Sequence, residues 1–382
     1  MNNKKCLKRL GIIGGGQLGK MLCQAASELS VETTTIDADD TAPAKWVSSQ
    51  FLQSSFANKD IYLALAENSD VITYEREDIE DRYLNLMVES GATVHPHPNV
   101  LAIIRDKLKQ KQFLKDNHIP TSHFEACETA NLDQFQTFGY PLVQKARVGG
   151  FDGRGVQVIH SSADFEKALP VPSLIEVCVS IQTECAMMVA RSETGSVEVY
   201  PLVEMNMCPE KNILDTLIVP ARVSSQYEIE AKKIAEKLIS ELHLVGVLAI
   251  EFFITTSGEL LVNEVSSRPH NSGHYTIEAC ITSQYQQHLR AILGYPLGNT
   301  QLLSPAVMIN LLGEGDAGAA KITGLEDILA IPGVTVHIYG KKTSSPGRKM
   351  GHVVILDSSL DKALEKADKV KQLLSIKGGK CE

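Results

Sequence analysis

Apolar positions along this chain switch between two periods, and the switches mark its elements. Leu10-Gly11-Ile12-Ile13 is a continuous apolar run of strand length, Gly14 to Gly16 interrupts it, and from Gln17 to Leu29 the apolar residues Leu18, Met21, Leu22 and Ala25 recur at helical spacing. This predicts a buried strand, a tight turn and an amphipathic helix. A strand over Thr33–Asp37, a helix near Lys59–Glu67 and a strand over Asp70–Tyr74 repeat the alternation, the pattern of an open α/β sheet. His95-Pro96-His97-Pro98 then breaks regular structure and marks a domain boundary.

Beyond it the pattern predicts a Lys-rich helix over Ile103–Asn117 and a strand over Tyr140–Lys145, followed by strands over Ser173–Val179 and Thr183–Ala190. Ser225–Leu242 reads as an amphipathic helix opened by a capping box of Ser225 and Glu228, with Ile229, Ile234, Leu238, Ile239 and Leu242 as its apolar stripe. Thr276–Leu293 reads as a helix stopped by Gly294 to Gly298. The last 80 or so residues mix short strands, a Gly-rich turn and a closing helix at Ser358–Leu374. No internal repeat is visible.

The stretch Gly246–His274 concentrates the candidate chemistry. Two apolar runs flank a polar turn, and with Ser257 and Gly258 at its centre Glu251 and Glu264 face each other across a hairpin. Directly opposite residues have Cβ atoms about 4.5–5.5 Å apart, which is destabilising for like charges. A divalent cation such as Mg²⁺ neutralises such a pair, taking one or two carboxylates and completing its shell with substrate phosphates. The alternative is a surface hairpin whose acids sit in water, but Glu251 lies in Val247–Ile254, a run too apolar for a strand solvated on both faces. Arg268, His270, Asn271 and His274 follow in one short loop.

Two glycine-rich turns add phosphate chemistry. Gly14, Gly16 and Gly19 match GxGxxG, with Asp37 ending the second strand, a spacing that serves any phosphorylated ligand at a helix N-terminus as well as a dinucleotide, or simply tight packing. Glu75 and Glu77 follow the Tyr74 strand, where ligands of open α/β sheets bind. Gly149-Gly150-Phe151-Asp152-Gly153-Arg154-Gly155 follows a strand ending in Lys145 and can lay backbone amides over phosphates; a flexible hairpin tip is the alternative. Glu176 and Glu184 sit on strands, and Tyr339-Gly340-Lys341-Lys342 with Arg348-Lys349-Met350-Gly351-His352 forms a basic patch suited to phosphate.

Composition narrows the classes. At 382 residues the chain suggests two or three domains, and a formal charge of −9 argues against general nucleic-acid or membrane-surface binding. Eight scattered cysteines without CxxC spacing predict reduced thiols and a cytoplasmic location. The basic N-terminus lacks the unbroken apolar run of a signal peptide, and no stretch reaches the roughly 18 apolar residues of a membrane span.

In this order the pieces resemble the ATP-grasp enzymes, and within them the N5-carboxyaminoimidazole ribonucleotide synthase family. GIIGGGQLGKM, the TYE turn, DKLKQK, GGFDGRG, GVLAIEFF, NExxxRPHNSGH, TSQYQQHLRA and YGKK with RKMGH carry the likeness over nearly the whole chain. The resemblance implies mixed α/β and α+β architecture: a Rossmann-like domain over 1–98, an ATP-grasp domain over 99–300 and a small C-terminal domain over 301–382, usually in a homodimer. It implies ATP, bicarbonate and 5-aminoimidazole ribonucleotide as substrates and Mg²⁺, or Mn²⁺, as cation. By position, Glu251 and Glu264 become metal ligands with Asn263 beside them. Lys107, Lys145, Gly150, Phe151, Asp152, Gly153, Arg154, Gly155, Val156, Glu176, Val179 and Glu184 become nucleotide contacts, with Asp152, Arg154 and Arg268 nearest the reaction. Gln17, Leu18, Glu75, Arg268, His270, Asn271, Lys341, Arg348 and Lys349 fall where the family holds the ribonucleotide. Gly149–Gly155 is the expected lid. The chain departs from the family at Phe151, where tyrosine is usual, at Ser266-Ser267 in place of Ala-Pro, at Met207 in place of a histidine, and at Arg76 and Asp78. Three alternatives stand beside this reading: another ATP-grasp ligase or transformylase, a nucleotide-binding relative without turnover, and a nicotinamide-dependent dehydrogenase on the GxGxxG.

Overall fold

The computed structural model of the chain describes residues 8–150, 155–208 and 213–379. The N-terminal βα alternation closes into a parallel sheet. β1 (Arg9–Ile13), α1 (Gln17–Glu28), β2 (Glu32–Asp37), β3 (Gln50–Gln53), α2 (Lys59–Glu67), β4 (Val71–Tyr74) and α3 (Asp81–Glu89) follow in chain order, with strand order β3-β2-β1-β4. Leu18, Met21, Leu22 and Ala25 of α1 are buried, as their spacing predicts.

The helix expected over Ile103–Asn117 is two helices, α4 (Pro98–Ile104) and α5 (Lys107–Asp116). Asp106 stands between them, and its carboxylate accepts the Leu108 and Lys109 amides at 3.0 and 3.4 Å, so one residue ends the first helix and caps the second. Lys107 therefore opens α5 rather than lying in mid-helix. A small antiparallel sheet follows, built from β5 (Phe124–Cys127), β6 (Leu142–Ala146), β7 (Val156–Ile159) and β8 (Ser173–Val177) in the order β5-β8-β6-β7. α6 (Leu132–Phe138) closes it by burying Phe135 against Cys127, Leu142, Ile159 and Ile175.

A third, larger sheet contains β9 (Ile181–Arg191), β10 (Val197–Val199), β11 (Val203–Cys208), β12 (Ile213–Val219), β13 (Gly246–Thr255) and β14 (Leu260–Ser266), with α7 (Ser225–Glu241) on one face. Ala231, Ile234, Ala235, Leu238 and Ile239 of α7 pack on Leu248, Ile250, Phe252 and Val262. Two expectations for α7 fail together. Ser224, not Ser225, is the N-cap, so Glu228 falls one position beyond the reach of a capping box and instead accepts the Leu202 amide at 3.4 Å. Ile229 is 49% exposed and stands off the stripe.

The helix expected over Thr276–Leu293 is likewise divided, into α8 (Thr276–Ala279) and α9 (Gln284–Ile292). The break is a reciprocal capping box: Ser283 Oγ accepts the Gln286 amide at 3.2 Å while Gln286 Oε1 accepts the Ser283 amide at 2.9 Å. The C-terminal segment comprises β15 (Ala306–Gly315), β16 (Gly318–Thr323), α10 (Leu325–Leu329), β17 (Val334–Ile338), β18 (Thr343–Ser344), β19 (Lys349–Leu356), α11 (Leu360–Leu373) and β20 (Ser375–Gly379). β15 and β19, of ten and eight residues, exceed the short strands expected there. β15 pairs with β12, Met308 opposite Leu217, so these strands extend the central sheet.

α9 joins the parts. Tyr285, Leu289 and Ile292 share one core with Leu18, Met21 and Leu22 of α1 and with Tyr339. His288, fully buried, accepts the Val247 amide at Nδ1 (3.2 Å) and contacts Thr73 Oγ1 through Nε2 at 2.8 Å, linking β13 to β4. His288→Ala removes a buried ring and leaves both partners unpaired, so a stability loss of about 3 kcal/mol is expected in denaturant unfolding; an unchanged midpoint would refute the linkage. Burial, with His95 adding, holds His288 down to about 3 against an ordinary 6.5. Its stabilisation is therefore complete above about pH 6.5 and fades as pH falls towards 3. The melting temperature should drop from pH 7 to 5 less steeply in the variant than in the wild type.

Candidate active site

β13 and β14 place Glu251 opposite Glu264, as the sequence predicts, but by another route. The loop holds three residues, Thr256 to Gly258, closed by the Thr255 amide on the Glu259 carbonyl at 2.9 Å, with Gly258 at φ +86°. That shifts the register by one. Phe252 pairs with Val262, and a bulge at Asn263 then restores the pairing of Glu251 with Glu264. A bulge also re-aims side chains. Asn263 Nδ2 donates to Glu251 Oε2 at 3.4 Å, and the neighbouring Glu264 reaches Lys107, so two successive residues serve one cluster.

Cations surround these acids. Lys107 forms an ion pair with Glu264. Lys145 Nζ donates to Asn263 Oδ1 at 2.9 Å and to Glu176 Oε2 at 3.2 Å. Burial pushes the Glu251 carboxyl above its ordinary range, with the charges of Glu264 and Glu184 adding and Lys107 and Lys349 opposing. Burial acts the same way on Glu264, but Lys107 and then Lys145 outweigh it and hold that carboxyl low. Two carboxylates and an amide oxygen make a hard-oxygen set suited to one divalent cation whose other ligands come from a phosphate. No cluster of three or more His, Cys, Asp or Glu fit to bind metal occurs among the described residues, so the chain alone does not complete a shell. The Lys107 ammonium is the positive charge now placed on Glu264.

The first glycine turn differs from the phosphate cradle that the sequence suggests. The Gly15 amide donates to Asp37 Oδ2 at 2.7 Å and the Gly16 amide to Glu75 Oε1 at 2.8 Å, so internal carboxylates already fill the helix N-terminus. A Cβ at Gly14 or Gly16 would come within 2.6 and 2.8 Å of Glu75 side-chain atoms, which is why glycine stands at both. Burial pushes Glu75 up to about 7, against the Gly16 amide and the charge of Arg268. Gln17 opens α1 at this turn, whereas Leu18 turns into the core.

The loop after β14 leans on residues the sequence reading did not single out. Gln284 accepts the His270 amide and donates to the His270 carbonyl, both at 2.8 Å. Asn271 and Asn310 exchange amide hydrogen bonds at 2.9 and 2.7 Å, and Asn310 also donates to the Leu214 carbonyl at 2.8 Å. Asn310 is the one polar residue in the apolar run Val307–Leu312, a signal that was available. His270 Nε2 stands 3.8 Å from Glu251, and Arg268 pairs with Glu77 at 3.1 Å. Behind them His352 stacks on His337 with ring centroids 4.4 Å apart and meets His274 at a tilt with centroids 4.7 Å apart, and His337 meets Glu278 at 2.6 Å.

The basic patch closes the third side. Lys341 Nζ donates to the Lys349 carbonyl at 2.7 Å, Arg348 to the Thr343 carbonyl at 2.8 Å, and Lys20 of α1 to the Ile338 carbonyl at 3.0 Å. The charges of Arg348 and Lys342 reach Asp39 beyond β2. Gly150, Gly155 and Val156 flank the second glycine loop, with Val156 paired to Lys145; Phe151, Asp152, Gly153 and Arg154 lie outside the described residues. Glu184 faces Phe253 across β9 and β13, and half-buried Val179 lies between β8 and β9. Arg76 and Asp78 pair with each other at 2.5 Å, and Met207 packs at the edge of the central core.

Residues 7–105 match the Ribonucleotide synthetase preATP-grasp domain, 112–285 the ATP-grasp domain, and 306–366 the Phosphoribosylaminoimidazole carboxylase C-terminal domain. The N5-carboxyaminoimidazole ribonucleotide synthase of Bacillus subtilis (strain 168) is 36% identical over 379 residues, 98% of this chain and 97% of its own. This chain belongs to that family. In the N5-carboxyaminoimidazole ribonucleotide synthase family, the Thermotoga maritima structure superposes with a TM-score of 0.91 at 43% identity, covering 98% of this chain and all of that one. The Aspergillus clavatus structure, in complex with ADP and 5-aminoimidazole ribonucleotide, gives 0.88 at 29% identity, covering 96% and 98%. Phosphoribosylaminoimidazole carboxylase of Saccharomyces cerevisiae is 38% identical over 370 residues, 92% of this chain but 64% of its own length, so the chain spans about two thirds of that relative. Family membership makes the chain an ATP-grasp ligase.

Asn310→Ala would leave the buried Asn271 amide and the Leu214 carbonyl without a partner. A stability loss of about 2 kcal/mol is expected in urea unfolding. A loss below about 0.5 kcal/mol would show that the pair does not fix this loop.

Proposed function

We propose that this chain carboxylates the exocyclic amine of 5-aminoimidazole ribonucleotide with ATP and bicarbonate, as a step of de novo purine biosynthesis. The observation that carries the reading is the bulged hairpin, with Glu251, Asn263 and Glu264 in one cluster and Lys107 and Lys145 against it. A bicarbonate oxygen attacks the γ-phosphorus of ATP, releasing ADP and forming carboxyphosphate. That mixed anhydride breaks to CO₂ and inorganic phosphate, and the amine nitrogen adds to the CO₂ carbon and gives up a proton.

Little covalent help is required of the protein, because phosphoryl transfer is promoted by positioning and by compensating spread negative charge. Lys107 and Lys145 supply positive charge to the phosphates. Glu251 and Glu264 hold Mg²⁺, or Mn²⁺, which when bound neutralises charge on the phosphate oxygens. Gly150, Gly155 and Val156 line the phosphates, and Glu176, Val179 and Glu184 face the nucleoside. Glu176 Oε1, buried and without a partner among the described residues, is its free acceptor for a base amino group. Gln17, Glu75, Arg268, His270, Asn271, Lys341, Arg348 and Lys349 hold the ribonucleotide, its phosphate on the basic patch. Arg268, beside Glu77 and acting on Glu75, orients bicarbonate next to the amine. The organisation is a Rossmann-like domain over 1–98, an ATP-grasp domain over 99–300 and a C-terminal domain over 301–382, in a cytoplasmic homodimer.

A second reading, an ATP-grasp ligase with another acceptor, rests on Phe151 in place of the usual tyrosine. Phosphate release from MgATP and bicarbonate, with and without the ribonucleotide, separates the two: strong stimulation with carboxylated product supports the carboxylase, and release indifferent to the ribonucleotide favours the other acceptor. Glu264→Ala should abolish ATP turnover, since Glu251 alone does not hold the cation; near-normal phosphate release would remove the metal assignment. Lys341→Ala with Arg348→Ala should raise the KM for the ribonucleotide tenfold or more, on the order of one lost charge-assisted contact, and leave that for ATP little changed. Equal effects on both would place the substrate phosphate elsewhere.

A further inference from the structure

Lys111 is a buried lysine with no place in the chemistry above. It is 2% exposed, on α5 one turn beyond Lys107. Its ammonium donates to Thr121 Oγ1 at 2.6 Å, to Ser122 Oγ at 3.0 Å and to the Val262 carbonyl at 3.5 Å, and lies 3.3 Å from Glu176 Oε2. That same oxygen receives Ser122 Oγ at 2.8 Å and Lys145 Nζ at 3.2 Å. One carboxylate therefore stands between two ammonium groups, and all three side chains are at least about nine-tenths buried.

A buried lysine costs desolvation energy, and a structural ion pair needs only one cation per carboxylate. Here there are two, so the cluster of Lys111, Glu176 and Lys145 carries one excess positive charge in a region that screens it poorly. The excess has a direction. Lys111 is enclosed by Thr121, Ser122 and a backbone carbonyl, whereas Lys145 reaches past Glu176 to Asn263, beside the glutamate pair.

We propose that Lys111 is a positioning residue that carries the charge of Glu176, leaving the charge of Lys145 available to the phosphates of the bound nucleotide. Without Lys111, Glu176 and Lys145 form a neutral pair, and the phosphates meet a lysine whose field is already cancelled. The inference rests on the assignment of Lys145 to the nucleotide site.

The test is ADP affinity by calorimetry in Lys111→Met, Glu176→Gln, the two combined, and Lys145→Ala, each alongside thermal melting. Lys111→Met should weaken ADP about tenfold or more, the scale of one unit charge in a partly buried site. Its melting temperature should stay within a few degrees of the wild type, because a neutral buried pair remains. Glu176→Gln weakens the base contact whatever Lys111 does, so the double variant is compared with it: with no carboxylate left to cancel Lys145, the added Lys111→Met change should alter ADP affinity by less than about threefold. A purely structural Lys111 would lower the melting temperature and leave ADP affinity unchanged, which overturns the proposal. So does a double variant that folds and yet binds ADP tenfold or more weakly than Glu176→Gln alone, and this arm decides the matter even if Lys111→Met does not fold. If Lys145→Ala also binds ADP normally, the nucleotide-site assignment itself has failed, and the proposal with it.

Discussion

Two carboxylates face each other in an apolar hairpin, and the arrangement around them follows from the need to compensate their charge. Like charges directly opposite on a sheet repel, and burial raises the cost of leaving both ionised. The protein answers with Lys107 on Glu264 and with Lys145 held against Asn263. Both lysines come from outside the hairpin, one from the first turn of α5 and one near the end of β6, so the small antiparallel sheet and the large one must close on each other for the acids to be tolerated. In the proposed reaction a cation and a phosphate chain take over that compensation.

The same logic runs through the N-terminal part. The helix N-terminus after β1 offers amides and a positive dipole end, but Asp37 and Glu75 take them before any ligand can. Glu75 is thereby fixed beside the N-terminus of α1, held by Gly16 and facing the charge of Arg268. A nicotinamide dinucleotide reading of the glycine motif needs those amides and the Asp37 carboxylate free for pyrophosphate and ribose, and neither is. The motif serves Asp37 and Glu75 instead.

Cohesion between the parts depends on a few buried polar groups rather than on continuous apolar packing alone. His288 joins β13 to β4, Asn310 joins β15 to the Asn271 loop, and Gln284 clamps that loop from α9. Each is fully satisfied at the atoms that bridge, which gives geometric specificity that apolar contacts lack. The residues that depart from the family pattern are accommodated locally: Arg76 and Asp78 pair with one another, and Met207 joins the edge of an apolar core.

The order of strands and helices was legible in the sequence because local periodicity and turn chemistry decide it. The βα units, the hairpin and the α7 stripe follow from residues within one or two turns of each other. Where a single polar residue competes with periodicity the pattern misleads: Asp106 and Ser283 cut two helices that their apolar spacing runs together. The facing of Glu251 and Glu264 was legible too, yet its mechanism was not, since a longer loop and a bulge at Asn263 cancel in a way no local rule fixes. What only the tertiary structure decided is which charges meet. Lys111, Ser122, Glu176 and Lys145 are separated by up to 65 positions and converge on one oxygen because α5 packs beside β8. Sequence states that charges exist, but the energy of a charge depends on its neighbours and its burial, and both are set only when the sheets close.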